Sequence, residues 1–98
     1  MSAPDYNDWA GSIGARVTLT APDGRTADLE LSSSTDLIAF GDFESFTLTF
    51  IGRADAPTEQ STYNLTLDGH EPLDVFLVPV GAREGATEFE AVFNQRKE

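Results

Sequence analysis

Residues 17–31 have the sequence VTLTAPDGRTADLEL, in which two runs of alternating apolar residues flank a turn signal. Val17 and Leu19 alternate with threonines, and after a Pro-Asp-Gly turn signal Ala27, Leu29 and Leu31 alternate with acidic residues. A period of two places the apolar side chains on one face of a strand. Proline presets φ at a turn and glycine accepts the left-handed conformation, so the two runs are joined tightly. The stretch therefore predicts an antiparallel β-hairpin.

Outward from this hairpin, the same alternation predicts four more strands. It is clearest in residues 46–50, FTLTF, and 88–93, EFEAVF. The six predicted strands span about 16–20, 26–32, 44–52, 61–67, 72–80 and 86–94. Residues 33–43 contain apolar side chains without a clean period, so we interpret them as a long connection. Six strands with mostly short turns predict an all-β fold, a six-stranded antiparallel meander that forms a small barrel or a sandwich.

A short helix is predicted before the first strand, at about residues 5–11. Tyr6, Trp9, Ala10 and Ile13 follow the i, i+3, i+4, i+7 spacing of one apolar helix face. Asp5 is placed to cap this helix. One or two turns are marginal in isolation, so we expect the helix to form only if Trp9 docks on the sheet.

Length, charge and cysteine content limit the classes of function. The 98 residues are enough for a single domain, 1–98, and they include 17 acidic and six basic residues, for a net charge of −11. This charge argues against partners with phosphate backbones and against anionic membranes, so we expect no nucleic acid and no membrane partner. No cysteine is present, and we find neither a signal peptide nor a membrane-spanning run, so we expect a cytoplasmic protein.

The fifth predicted strand breaks the alternation, because both of its faces are apolar. Val75 and Leu77 share one face, and the other face carries Phe76, Val78 and Val80. Pro79 cannot donate a hydrogen bond to a ladder, so it belongs at an edge or a bulge. One alternative is that Trp9 and the helix, or Leu37, Ile38 and Phe40, cover the second face. The other is that this face is buried against a protein partner or a second copy in a homo-oligomer.

Two aromatic residues, Phe40 and Phe43, bracket Gly41-Asp42 in the predicted connection. If they are buried, they form a lid on the end of the barrel; if they are exposed, they extend the partner surface. The candidate surface then comprises Phe76, Val78, Val80, Phe40 and Phe43. An alternative is a small-molecule-binding barrel whose mouth is lined by Phe40, Phe43 and Tyr63.

Candidate catalytic residues are scarce in this sequence. The one histidine, His70, follows Gly69 at a predicted turn, where a histidine is usually plain surface. Neither the spacing of a metal site nor a glycine-rich phosphate loop is present, so we predict no catalytic residue, no metal and no cofactor. An enzyme remains the second alternative, and it would require His70 to lie near a carboxylate in a concave site.

Several strings in the second half of the chain resemble those of an uncharacterised bacterial family of small β domains. These are residues 46–52, FTLTFIG; 54–57, ADAP; 75–81, VFLVPVG; and 89–94, FEAVFN. Ser61 and Phe89 depart from the glycine and tyrosine usual in that family. Its members are often standalone and encoded near tail-collar or tail-fibre-like proteins. The resemblance implies a non-enzymatic structural or protein-interaction module, an accessory or assembly factor for a phage-tail-like fibre.

Overall fold

The computed structural model describes residues 4–53, 59–83 and 85–96. One short helix precedes the strands in this part of the chain. The elements are α1 (Tyr6–Ala10), β1 (Arg16–Thr20), β2 (Thr26–Ser34), β3 (Ile38–Phe40), β4 (Phe43–Gly52), β5 (Ser61–Leu67), β6 (Leu73–Arg83) and β7 (Ala86–Arg96).

The strands form one antiparallel sheet that closes into a six-stranded barrel. Its order is β2-β1-β5-β6-β7-β4-β3, and the additional pairing of β2 with β4 closes it. Leu31 lies opposite Phe50 at this closure. The all-β prediction is confirmed, and of its two forms the barrel is the one observed. The connection from β4 to β5 departs from simple hairpin order, because β5 lies between β1 and β6 rather than beside β4.

The hairpin predicted from residues 17–31 is confirmed. Val17 pairs with Leu29 and Leu19 pairs with Ala27, so the apolar residues of both strands face the same side. All four are buried. Gly24 has a φ of +91° at the turn, a conformation that other residues rarely adopt.

Residues 33–43 differ from the predicted long connection, because they contain a seventh strand. β3 pairs with the start of β4, Phe40 opposite Phe43, across a two-residue turn in which Gly41 has a φ of +58°. All three β3 residues are exposed, since the strand extends the sheet outside the closed barrel. Burial therefore imposes no alternation on it, and the Gly-Asp pair between two aromatic residues was the remaining hairpin signal.

The core fills the barrel with buried side chains from all six of its strands. Trp9 of α1 is fully buried, with its ring centroid 5.9 Å from that of Phe50 and 6.1 Å from that of Phe93. Asp5 caps the helix in a reciprocal capping box with Asp8. The expectation that the helix docks through Trp9 is confirmed, and α1 packs on the aromatic residues at one end of the core.

Candidate interaction surface

The large exposed apolar side chains are concentrated on one side of the barrel. We call this the apolar side and define it by the outer faces of β3, β4, β6 and β7. Of the seven such side chains among the described residues, Ile13 alone lies elsewhere, between α1 and β1. The members of the apolar side are Ile38, Phe40, Phe43, Phe76, Val80 and Val92, each about half exposed, together with the half-buried Val78.

Strand β6 exposes its second apolar face. Phe76 is 52 % exposed and Val80 is 49 % exposed, whereas Val75 and Leu77 on the other face are buried. The alternative that α1, or Leu37, Ile38 and Phe40, cover this face is therefore wrong for Phe76 and Val80. Pro79 lies opposite Phe89 beside a shift in the β6–β7 register, the bulge position that a strand proline favours.

Phe40 and Phe43 are not a lid on the barrel. They face each other across the β3–β4 hairpin on the outer surface and are 56 % and 48 % exposed. The end of the core is covered instead by Trp9 and Tyr6, whose rings contact Phe50 and Phe46 respectively. A tryptophan carries enough apolar area to close a small barrel end, so the two phenylalanines remain available for contact.

Two members of the apolar side, Ile38 and Val92, were not identified from the sequence. Val92 lies opposite Thr47 on the outer face of β7, in line with Glu90, and is 59 % exposed. Val92 could have been identified, because it is an apolar residue at a position where the alternation of its strand calls for a polar one. Phe76 was identified in this way. Ile38 lacked a signal because its strand was not predicted.

The charged side chains of β1 and β2 form a second surface, which we call the charged side. The outer faces of β1 and β2 carry Arg16, Asp28 and Glu30, and Arg16 Nη1 lies 4.0 Å from Asp28 Oδ2. A half-open groove of about 960 Å³ extends from these strands onto the outer faces of β4 and β7, and these three residues line it together with Ile51, Arg53 and Glu88. The barrel thus has an apolar side and a charged side, which differ in the chemistry of the partner that each would attract.

The residues of the small-molecule alternative do not come together. Tyr63 is buried in the core, and its hydroxyl donates a hydrogen bond of 2.7 Å to the carbonyl oxygen of Glu59, whereas Phe40 and Phe43 are exposed on the outer surface. Burial, and then the nearby charge of Glu59, raises the pKa of Tyr63. The predicted mouth of the barrel is therefore not formed by these three residues.

His70 does lie near a carboxylate. Its Nδ1 is 3.9 Å from Asp8 Oδ2, beyond hydrogen-bond distance, and the same oxygen accepts the backbone N–H of Asp5 at 3.0 Å in the helix cap. The described residues contain no group of three or more histidine, aspartate or glutamate side chains placed to hold a metal ion.

In the β1–β2 turn, the backbone N–H and side chain of Arg25 lower the pKa of Asp23.

Comparison with known proteins identifies a family. A family model described as Domain of unknown function (DUF6916) matches residues 4–93. Neither a curated protein nor a solved structure matches the chain. Within the described part of the chain, α1 is far too short to cross a bilayer and no other helix is a candidate membrane span.

Proposed function

The chain belongs to this family of domains of unknown function, and we propose that it is a non-enzymatic structural or protein-interaction module. The observation that carries the proposal is the concentration of half-exposed Phe40, Phe43 and Phe76 on one side of the barrel. Exposed aromatic residues gathered on one surface are typical of protein contacts, because they bury large apolar area at a small cost in conformational entropy.

Two further observations support a role in binding rather than catalysis. The barrel interior is occupied by its own buried side chains, as is usual for small barrels, so contacts with other molecules fall to the outer surface. The carboxylate nearest His70 belongs to Asp8, which is engaged in capping α1. At 3.9 Å this carboxylate makes no hydrogen bond with His70, and such a bond is what orients a catalytic histidine.

The resemblance in the second half of the chain extends the proposal to a biological setting. We propose that the domain is an accessory or assembly factor for a phage-tail-like fibre and that it acts in the cytoplasm. A cysteine-free domain suits a reducing compartment, and an assembly factor needs a surface that a partner covers. Phe76, Val80 and Phe40 supply such a surface.

Site-specific photo-crosslinking in the native host tests this function. A photoreactive amino acid at position 76 or 40 should give a discrete crosslinked product with a protein partner. The same amino acid at position 30, on the charged side, is the matched control and should give none. The molar mass of the purified chain, alone and mixed with a candidate fibre protein, then identifies the complex. Equal crosslinking from positions 76 and 30, or none from 76 and 40, contradicts the proposal.

A further inference from the structure

Strands β6 and β7 separate over part of their length, at a place that we call the seam: residues 73–77 of β6 and residues 91–96 of β7. Their ladder runs from the Arg83–Ala86 pair to the Val78–Glu90 pair and ends there, although both strands continue. Among the described strands, residues 73–77 pair with β5 alone and residues 91–96 with β4 alone. Each strand therefore has one edge at the seam without a strand partner.

Apolar side chains border the seam on the outer surface. Phe76 and Val92 are 52 % and 59 % exposed. Phe76 and Val92 each lie two residues beyond the Val78–Glu90 pair that ends the ladder. An extended segment lying along the seam would cover both side chains and meet the strand edges at the same time. This is the arrangement by which proteins bind peptides as an added strand.

Carboxylates flank the same place. Asp74 lies two residues before Phe76 on the outer face of β6, and Glu90 lies two residues before Val92 on the outer face of β7. The whole chain carries a net charge of −11. A cationic segment is therefore attracted both by the two local carboxylates and by the field of the whole protein.

A second copy of the chain fits the seam poorly. It would bring a further net charge of −11 and place its own carboxylates against Asp74 and Glu90. The large apolar side chains exposed at the seam are Phe76 and Val92, whereas a stable interface buries about 800 Å² of polar and apolar surface per partner. A bound strand needs less side-chain area, because backbone hydrogen bonds to the strand edge add to its affinity.

We propose that the seam binds an extended segment of a partner protein that carries both apolar and basic side chains. This inference rests on the proposed function, since it specifies the partner of the same apolar side. The apolar side chains of the segment cover Phe76 and Val92. Its lysine or arginine side chains reach Asp74 and Glu90.

Peptide binding to the full chain tests the inference. The probe is a short fluorescently labelled peptide that repeats Val-Thr-Lys-Thr, because valine and lysine then share one face of an extended chain. A peptide that repeats Val-Thr-Glu-Thr is its matched control. Fluorescence anisotropy should show binding of the lysine peptide that weakens as salt rises from about 0.05 M to about 0.5 M. The glutamate peptide should bind at least about tenfold more weakly, because the seam carboxylates repel it.

Three variants of the protein locate the binding. Phe76→Ser should weaken the lysine peptide about tenfold, and Glu90→Gln about threefold. Glu30→Gln removes the same charge from the outer face of β2 and should leave the affinity unchanged within about twofold, so it controls for the loss of net charge. The near-ultraviolet circular dichroism of the buried Trp9 checks that each variant is folded.

The outcomes separate this inference from the proposed function. Equal affinity for the two peptides, with both weakened by Phe76→Ser, overturns the basic partner and leaves the interaction surface intact. Binding of the lysine peptide that Phe76→Ser does not weaken indicates attraction to the acidic chain in general and overturns the inference. Binding of neither peptide also overturns it, while crosslinking from position 76 still decides the proposed function.

Discussion

Trp9 links the N-terminal segment to the barrel. Its side chain is fully buried against Phe50 and Phe93, and its indole Nε1 has no hydrogen-bond acceptor among the described residues. The burial of such a donor costs free energy, so the stabilising contribution of Trp9 comes from the contacts of its ring. A five-residue helix supplies little stability of its own, and the segment therefore depends on packing, in which the fully buried Trp9 is joined by the partly buried Tyr6.

Two replacements of Trp9 distinguish the contribution of its ring contacts to stability from that of its N–H group. Trp9→Ala should lower the free energy of unfolding by about 3–5 kcal/mol. Trp9→Phe keeps an aromatic ring and removes the unpaired donor, so we expect a much smaller loss. Urea unfolding followed by far-ultraviolet circular dichroism measures both. Equal losses in the two variants would show that the ring contacts are not the main contribution.

Tyr63 gives the barrel a dependence on alkaline pH. Because burial raises the pKa of its phenol above the ordinary 10.0, the folded state holds the proton more tightly than the unfolded state. The contribution of Tyr63 is complete below pH 10.0 and is lost as pH rises through the folded pKa. Tyr63→Phe should therefore flatten the fall in stability above pH 10.0, although it costs about 1 kcal/mol at neutral pH through the lost hydrogen bond to Glu59. Unfolding at a series of pH values gives the comparison, and an unchanged alkaline slope would contradict it.

At the scale of elements, the alternation of apolar residues predicted the strands whose inner faces are buried. Residues 17–31 are an example, since each predicted inward residue of that hairpin is buried. β3 was missed because a strand outside the barrel has no buried face to impose a period on its sequence. The same limit applies to β6: alternation identified two apolar faces, but it could not tell which neighbouring element, if any, would cover Phe76.

The β3–β4 turn depends on the conformation of Gly41. Its φ of +58° is strained for most side chains, and asparagine tolerates it better than a β-branched residue does. Gly41→Val should destabilise the turn by about 1–3 kcal/mol and speed the amide hydrogen exchange of Ile38–Phe40. Gly41→Asn is the matched control and should change exchange little.

The faster hydrogen exchange caused by Gly41→Val should be confined to the β3–β4 hairpin. β3 contributes no buried side chain, so the exchange of β1 amides should be the same in Gly41→Val as in the unmodified protein. A loss of protection throughout the barrel would show instead that β3 is part of its cooperative unit.

In the whole molecule, the net charge and the exposed apolar surface have opposite effects on association between copies of the chain. Phe40, Phe76 and Val92 favour contact, whereas a net charge of −11 repels a second copy. The five candidate surface residues could be selected from the sequence because each sits where a polar residue or a turn was expected. The seam could not be predicted, since where a ladder ends depends on how β6 and β7 diverge around the barrel.

A reduction of the net negative charge should allow copies of the chain to associate. As pH falls from 7 toward the isoelectric point of about 4.2, protonation of carboxylates removes the repulsion between copies, and the apolar side should then drive self-association. Light scattering should detect an increase in mass for the unmodified protein and a smaller one for the double variant Phe40→Ser, Phe76→Ser. Ile13→Ser removes a similarly exposed apolar residue that lies off the apolar side and should associate like the unmodified protein. If the double variant associates as strongly as Ile13→Ser, the apolar side is not the surface through which the copies associate.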